Sequence, residues 1–235
     1  MRIVRLALAA VLAAAALRAP ALAQRRDSTR RPEPPLAFQF AGPAAGGRIS
    51  AVAGVPGRSD TYYAGAASGG VWKTTDAGRT WAPIFDREPV QAIGALAVAP
   101  SDSNTVWAGT GEAWAIRDAD VVGDGVYKST DGGRTWKHMG LEATGRIGRI
   151  VVDPGNANRV FVCALGTTYG PQQERGVYRT TDGGTTWQRV LFVDPNTGCS
   201  GLALDPHDPN TLFAGTWQVV MHTWGMFGGG PGSGV

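Results

Sequence analysis

An all-β chain of repeated four-stranded sheets is what this sequence predicts, and three observations carry the prediction. One phrase recurs: GGVWKTTDAGRTW ends at Trp81, GDGVYKSTDGGRTW at Trp136 and RGVYRTTDGGTTW at Trp187. All three fit [S/T]-x-D-x-G-x-T-W, with the aspartate at 76, 131 and 182, in steps of 55 and 51 residues. Ahead of each copy stand two short apolar runs, separated by a turn rich in Pro, Asp, Asn and Gly. Composition agrees, with 43% hydrophobic residues, 34 glycines, eight tryptophans and few long helical patterns. Four strands in roughly 50 residues make one blade of a β-propeller.

Taken in order, the chain opens with Arg2 and Arg5 before an apolar run, Leu6 to Leu17, and a small-x-small site, Ala21-Leu22-Ala23. Residues 1–23 read as a secretory signal peptide cleaved after Ala23, with a retained anchor as the alternative; the run is short for a membrane helix. Residues 24–36 follow as a charged, proline-rich flexible spacer. The folded region is expected over 37–235, with AFQF at 37–40 a strand candidate and a loop from Gly42 to Gly47. Blades are expected at about 47–86, 93–139, 147–192 and 199–235.

The first strands are read as Ile49–Val55, Ile93–Ala99, Ile147–Asp153 and Ser200–Asp205, nearly all small and apolar, as strands covered on both faces should be. The second strands are Thr61–Gly65, Thr105–Gly109, Arg159–Ala164 and Thr211–Gly215. Each third strand opens at a Gly-Val pair (70–71, 125–126, 176–177), and each fourth strand leaves from the tryptophan. Lys73, Lys128, Arg179 and Arg189 read as charges that keep outer strands from pairing. In the turns, the carboxylates of Asp76, Asp131 and Asp182 are expected to accept backbone N–H groups. Gly78, Gly133 and Gly184 supply the positive φ, and Trp81, Trp136 and Trp187 are free to cover their hairpins. Gly234-Val235 falls where a third strand opens, so about three and a half blades are expected, an incomplete arc and the front piece of a longer protein; propellers close with roughly four to eight.

In a four-stranded meander the turns after strands one and three share a face, so the repeated turns lie with the short proline turns. The opposite face receives the second-to-third-strand loops: Ala66–Gly69, Thr110–Asp124, Gly166–Arg175 and Thr216–Gly234. Unequal insertions on one face are where propellers place binding sites. The second loop offers Glu112, Trp114, Arg117, Asp118, Asp120 and Asp124; the third, Tyr169; the fourth, Trp217, His222, Trp224, Met226 and Phe227. Carboxylates in such a loop suit a divalent cation or acid catalysis, and exposed aromatics suit a sugar or a peptide side chain. The plain readings stay open beside these: loop satisfaction for the acids, packing over the channel mouth for the aromatics. Substituting Glu112 or Trp224 is expected to weaken the ligand and spare folding.

Other chemistry is argued against. Residues 1–35 hold seven of the 22 Lys and Arg but two of the 19 acids, leaving 15 basic against 17 acidic side chains, so no nucleic-acid footprint remains. The histidines 138, 207 and 222 show no zinc spacing, and neither a nucleophile elbow nor a phosphate loop is present. No cofactor is expected, nor a membrane span once the signal is removed. Cys163 and Cys199 fall in adjacent blades toward the loop-rich face; an exported chain permits a bond between them, and two buried thiols are the alternative.

The repeated phrase resembles the Asp-box, or BNR, repeat of sialidases, xyloglucan-cleaving hydrolases and the sortilin N-terminal domain with its secreted bacterial relatives. In those families the Asp-boxes are structural turns on the face away from the ligand. A sialidase would need an Arg-Ile-Pro motif, where this chain has Gly47-Arg48-Ile49-Ser50. Xyloglucan-cleaving enzymes place a catalytic aspartate just before the glycine pair, where this chain has Ala66-Ala67-Ser68 before Gly69-Gly70. GGRISAVAG, ASGGVWKTTDAG, GTGEAWAIRDAD and GDGVYKSTDGGRTW look closest to the sortilin-like bacterial proteins. That resemblance implies a secreted or periplasmic module binding a peptide, protein or glycan. The alternative is a glycoside hydrolase whose acids lie partly in further blades.

Overall fold

The computed structural model describes residues 42–45, 47–113, 121–205 and 207–235. The signal-peptide and spacer expectations (1–23, 24–36) and the strand candidate at 37–40 lie outside the described residues.

Among the described residues, fifteen strands form four antiparallel sheets, one per blade. Blade one is β1 (Ile49–Val55), β2 (Arg58–Ala66), β3 (Val71–Thr74) and β4 (Ala82–Pro83). Blade two is β5 (Ile93–Ala99), β6 (Asp102–Thr110), β7 (Val126–Ser129) and β8 (Lys137–His138). Blade three is β9 (Ile147–Asp153), β10 (Asn156–Ala164), β11 (Gly176–Thr180) and β12 (Gln188–Leu191). Blade four has three strands, β13 (Thr197–Leu204), β14 (Leu212–His222) and β15 (Gly225–Gly228). Each sheet is a simple up-and-down meander. The architecture is that of an all-β propeller.

The expected first strands of blades one to three coincide with β1, β5 and β9, while β13 begins three residues before the expected Ser200. Every first strand skips one residue in its pairing with the second: Ser50, Gly94, Gly148 and Ser200. That shared bulge fixes the register, so equivalent positions can be read across all four blades.

Blade four corrects the expectation of a loop from Thr216 to Gly234. TWQVVMH contains no glycine or proline to stop a strand, so β14 runs on to His222 and turns through Thr223-Trp224 into β15. Thr216 and Gly234 then exchange both backbone hydrogen bonds, which puts Gly234 where Gly125 meets Thr110 in blade two. The insertion is therefore a β-hairpin arm projecting from the blade.

The repeated turns are tied to their own blade and to the preceding one. Within each blade, the backbone N–H of Ala77, Gly132 and Gly183 donates to Asp60, Asn104 and Asn158 at the start of the second strand. Asp76 Oδ1, Asp131 Oδ1 and Asp182 Oδ1 each accept the backbone N–H four residues on, at 2.9 Å, while Oδ2 takes the threonine hydroxyl there. Those threonine hydroxyls hold the carboxyls well below the usual range, Asp76 at about 2. Gly133 and Gly184 sit at φ near +90°, where a Cβ would strike Ile84 and Met139 of the preceding blade at 2.5 and 2.9 Å.

Two expectations are corrected here. The indoles of Trp136 and Trp187 are not free to cover their own hairpins; they donate to Ile84 O and Met139 O of the preceding blade at 2.8 and 2.7 Å. Lys73 and Lys128 are not loose edge charges. They donate to Gly132 O and Gly183 O of the following blade, each ammonium lying about 5 Å over an aromatic face, Tyr63 or Trp107. An edge guard and an inter-blade strap call for the same residue, a lysine on an outer strand, and only the neighbouring blade tells them apart.

Three hydrophobic clusters fill the three inter-blade spaces. At the first two, the second strand presents a glycine and the next blade inserts an isoleucine. A Cβ on Gly65 would lie 2.5 Å from Ile93 Cγ2, and one on Gly109 2.4 Å from Ile147 Cγ2. At the third, the residues equivalent by register are Cys163 and Cys199, and they form a disulfide with Cα atoms 5.0 Å apart. A covalent bond stands where the other interfaces have a knob in a hole.

Candidate functional site

Because the repeated turns pack on the starts of the second strands, the segments leaving the ends of those strands lie at the other end of each blade. On that side the sequence-predicted residues are held by two buried arginines and one ion pair.

Glu112 follows β6 with its side chain 1% exposed, and Arg48, before β1, grips it through Nε (2.8 Å to Oε1) and a second bond to Oε2. The carboxylate raises the guanidinium pKa, first through the hydrogen bond and then by charge. This corrects the expectation that Glu112 can be replaced without consequence for folding: it is one half of a bidentate pair joining blades one and two. Asp124 accepts from Thr110 Oγ1 (3.2 Å) and Tyr127 Oη (2.7 Å). Burial, then that bond, pushes the phenol of Tyr127 upward. Trp114, Arg117, Asp118 and Asp120 lie outside the described residues.

Blade three carries the larger surprise. Arg146 occupies the position of Arg48, and Gly145-Arg146-Ile147 repeats the triplet Gly47-Arg48-Ile49. It is fully buried, donates to Thr168 Oγ1 at 2.8 Å, and lies 5.6 Å from the centre of the Tyr169 ring. Thr168 is a buried β-branched residue at φ 69°, a conformation that persists only where its surroundings hold it. Met221 N donates to its carbonyl at 2.7 Å, so the strained turn also anchors the arm of blade four. Arg175, also fully buried, donates to the carbonyls of Gly170, Asn196 and Val219. Burial lowers its pKa, partly offset by Asp194. One guanidinium thus joins the blade-three loop, the link between blades and the arm.

Held at its base this way, the arm presents an aromatic tip. The rings of His222 and Trp224 stack at 4.6 Å and 2° between planes, Phe227 meets His222 edge-on, and Trp224 is 78% exposed. The backbone bond from Met221 to Thr168 brings this tip and the half-exposed Tyr169 to adjoining segments. Glu112 belongs to a separate place, between blades one and two. Sequence reasoning missed Arg146 and Arg175. The repeated Gly-Arg-Ile triplet was a legible signal for the first; Arg175, where other blades have Gly69 and Asp124, had none.

Glu112, Asp124 and Asp194 are already engaged with Arg48, with Thr110 and Tyr127, and with Asn196 and Thr197. Among the described residues no group of three or more His, Cys, Asp or Glu side chains is placed to hold a metal ion. No described helix is long and apolar enough to cross a membrane.

No protein-family model matches the chain. The xyloglucanase Xgh74A of Acetivibrio thermocellus is 31% identical over 182 residues, 72% of this chain and 20% of that protein. The vacuolar protein sorting/targeting protein 10 of Mycosarcoma maydis is 27% identical over 111 residues, 45% of this chain and 7% of that protein. Among solved structures, an ancestral GH74 enzyme superposes with a TM-score of 0.56 at 28% identity, covering 73% of this chain and 22% of that one. The chain thus spans about a fifth of the length of the xyloglucanases it matches.

Proposed function

We propose that this chain is an exported Asp-box propeller module that binds a peptide, protein or glycan through its long-loop side. One observation carries the reading: the blade-three loop and the blade-four arm are locked together by Arg146, Arg175 and the strained Thr168, yet the locked assembly offers solvent the rings of Tyr169, His222, Trp224 and Phe227. Rigid support under exposed aromatic rings lowers the ordering cost of binding. Export is supported by the N-terminal signal pattern and by the disulfide, which persists in oxidising compartments. The sortilin-like reading is the finer part of the proposal, and the Mycosarcoma maydis protein supports it.

A second reading, a glycoside hydrolase, is favoured by the 31% identity to a xyloglucanase. Hydrolysis generally needs two carboxyl groups flanking the bond. In this chain exposed Ser68 precedes the first glycine pair, and the Glu112 carboxylate is occupied by Arg48. Its own residues therefore favour recognition over cleavage.

The test is calorimetric titration of the chain with xyloglucan oligosaccharides and with a peptide library, alongside an assay for released reducing ends. Saturable binding that weakens on Trp224→Ala, with no sugar released, is expected. Release of reducing ends by the chain alone, or binding indifferent to Trp224 and Tyr169, defeats the proposal.

A further inference from the structure

Register sets one residue of each third strand directly opposite one of the fourth: Lys73 and Ala82 on β3 and β4, Lys128 and Lys137 on β7 and β8, Arg179 and Gln188 on β11 and β12. Two of these pairs are quiet. Ala82 sets no charge against Lys73, and Gln188 Oε1 accepts from Arg179 at 2.7 Å. Blade two instead sets one ammonium against another, an arrangement that costs stability on paired strands. Burial lowers the Lys128 pKa, Asp102 opposes that, and Lys137 lowers it further. Among the described residues neither lysine forms an ion pair.

Both lysines line one cleft of about 320 Å³ between the outer strands of blade two and the repeated turn of blade three. Blades two and three each have a blade on either side, so this opening is set within the chain. The remaining charged residue in its lining is Asp182, whose carboxylate oxygens are taken by Thr186 N and Thr186 Oγ1 at 2.9 and 2.6 Å. The lining therefore sums to one net positive charge. Lys128 gives one N–H to Gly183 O at 3.2 Å, and an ammonium has more to give. Trp136 and Met139 add an apolar wall, and Thr130 a hydroxyl. The cleft beside the repeated turn of blade two, about 520 Å³, differs: Arg87 and Arg134 there meet Asp86 and Glu88, and the charges balance internally.

We propose that the cleft between blades two and three binds a sulfate monoester carried on a glycan, with Lys128 and Lys137 bridged by the sulfate and the sugar lying against Trp136 and Met139. A sulfate monoester carries a single negative charge, which matches the net charge of the lining. Its oxygens only accept, which suits ammonium donors, and charge-assisted bonds of this kind are the strong ones. Seated between the two lysines, it also relieves the repulsion that blade two alone carries. The site lies on the turn side, away from Tyr169 and Trp224, so it stands independently of the recognition surface proposed above.

Nuclear magnetic resonance titration of the chain with a sulfated glucose, at constant ionic strength, tests this. Saturable shifts are expected at the Gly183 and Thr185 amides. Lys137→Ala reproduces the blade-one pair at an exposed position, so the fold should hold, with thermal melts as the check. It should weaken binding about tenfold or more, as loss of a hydrogen bond to a charged group does. Its ligand-free melt should not fall, because the substitution removes a repulsion. Lys137→Arg should keep the binding, and Trp224→Ala should leave it unchanged. Unsulfated glucose, glucuronate, inorganic sulfate and dimethyl phosphate are the controls. No saturable shift, an equal or stronger response to any control, or binding that survives Lys137→Ala overturns the proposal. So does binding lost with Lys137→Arg or Trp224→Ala, or a lower ligand-free melt for Lys137→Ala, which would give the lysine a stabilising role instead.

Discussion

If the Cys163–Cys199 bond occupies a knob-and-hole position, the knob and the hole should be able to replace it. The perturbation is a pair of double variants: Cys163→Ala with Cys199→Ala, and Cys163→Gly with Cys199→Ile. Both lose a crosslink over a sequence separation of 36, which in the chain-entropy account is about 4 kcal/mol. The alanine pair also leaves the third interface underfilled, since both cysteines are fully buried. The Gly/Ile pair instead buries a net two more carbons than the alanine pair, three gained at 199 and one lost at 163, about 1.6 kcal/mol at 0.8 per carbon, less about 0.5–1 kcal/mol for a glycine within a strand. The expected order of stability is wild type, then Gly/Ile, then Ala/Ala, with the last two separated by about 1 kcal/mol. Urea melts followed by tryptophan fluorescence and circular dichroism, without reductant, measure it. Repeat arrays can melt in stages, so the transition of blade four is the one to compare. A Gly/Ile variant no more stable than the Ala/Ala one would refute the equivalence of the three contacts.

Other outcomes follow from the same geometry. Gly133→Ala forces a side chain onto φ +90° and into Ile84, so thermal melts should show a loss of more than about 1 kcal/mol, while Gly57→Ala, with open space around its Cβ, should show the backbone strain alone. Asp76 is depressed from 3.8 to about 2 in the folded chain, and Asp131 and Asp182 are lowered likewise, so their stabilisation is complete above about pH 4 and lost as pH falls toward 2. An acid titration should show it, and Asp76→Asn should flatten the profile in that window. Arg48→Ala strands the buried Glu112 carboxylate and should lower the melting temperature more than Arg48→Ala with Glu112→Leu does. Trp224→Ala should leave the melt unchanged.

Much of the fold was legible because its signals are local. Hairpin turns, alternating runs and the glycine-valine pairs state a strand order without reference to anything distant, which is why β1, β5 and β9 fall at their expected bounds. Partnership between blades was not legible. Nothing in GVYKS tells an edge-guarding lysine from one that straps the next blade, and nothing in the threonine-tryptophan pair says that the indole reaches back some fifty residues to Ile84 or Met139. The arm shows the opposite failure. Its glycine tail and aromatics suggested a loop, yet the β-branched run before His222 favours a strand once the turn at Thr223-Trp224 brings β15 back to pair with it.

The placement of the proposed site follows from how the blades are joined. On the turn side blades one to three repeat the same aspartate and threonine contacts, so the positions that make them are held in common. On the other side, equivalent backbone positions hold different chemistry: Arg48 paired with Glu112, Ala92, Arg146 under Tyr169, and Gly198. Binding specificity can vary only where the fold tolerates variation. The buried arginines extend that tolerance, because a guanidinium bonded to backbone carbonyls fastens a loop without dictating its side chains, as Arg175 does with Gly170, Asn196 and Val219. Arg175→Lys tests this directly. One ammonium cannot span the three carbonyls that the planar fork reaches, so the arm should loosen. Hydrogen exchange at Val219 and Met221 should rise while that at Val106 and Val160 stays protected. Equal protection in the variant would mean that the arm is held by its own strands, and that Arg175 is not the fastening.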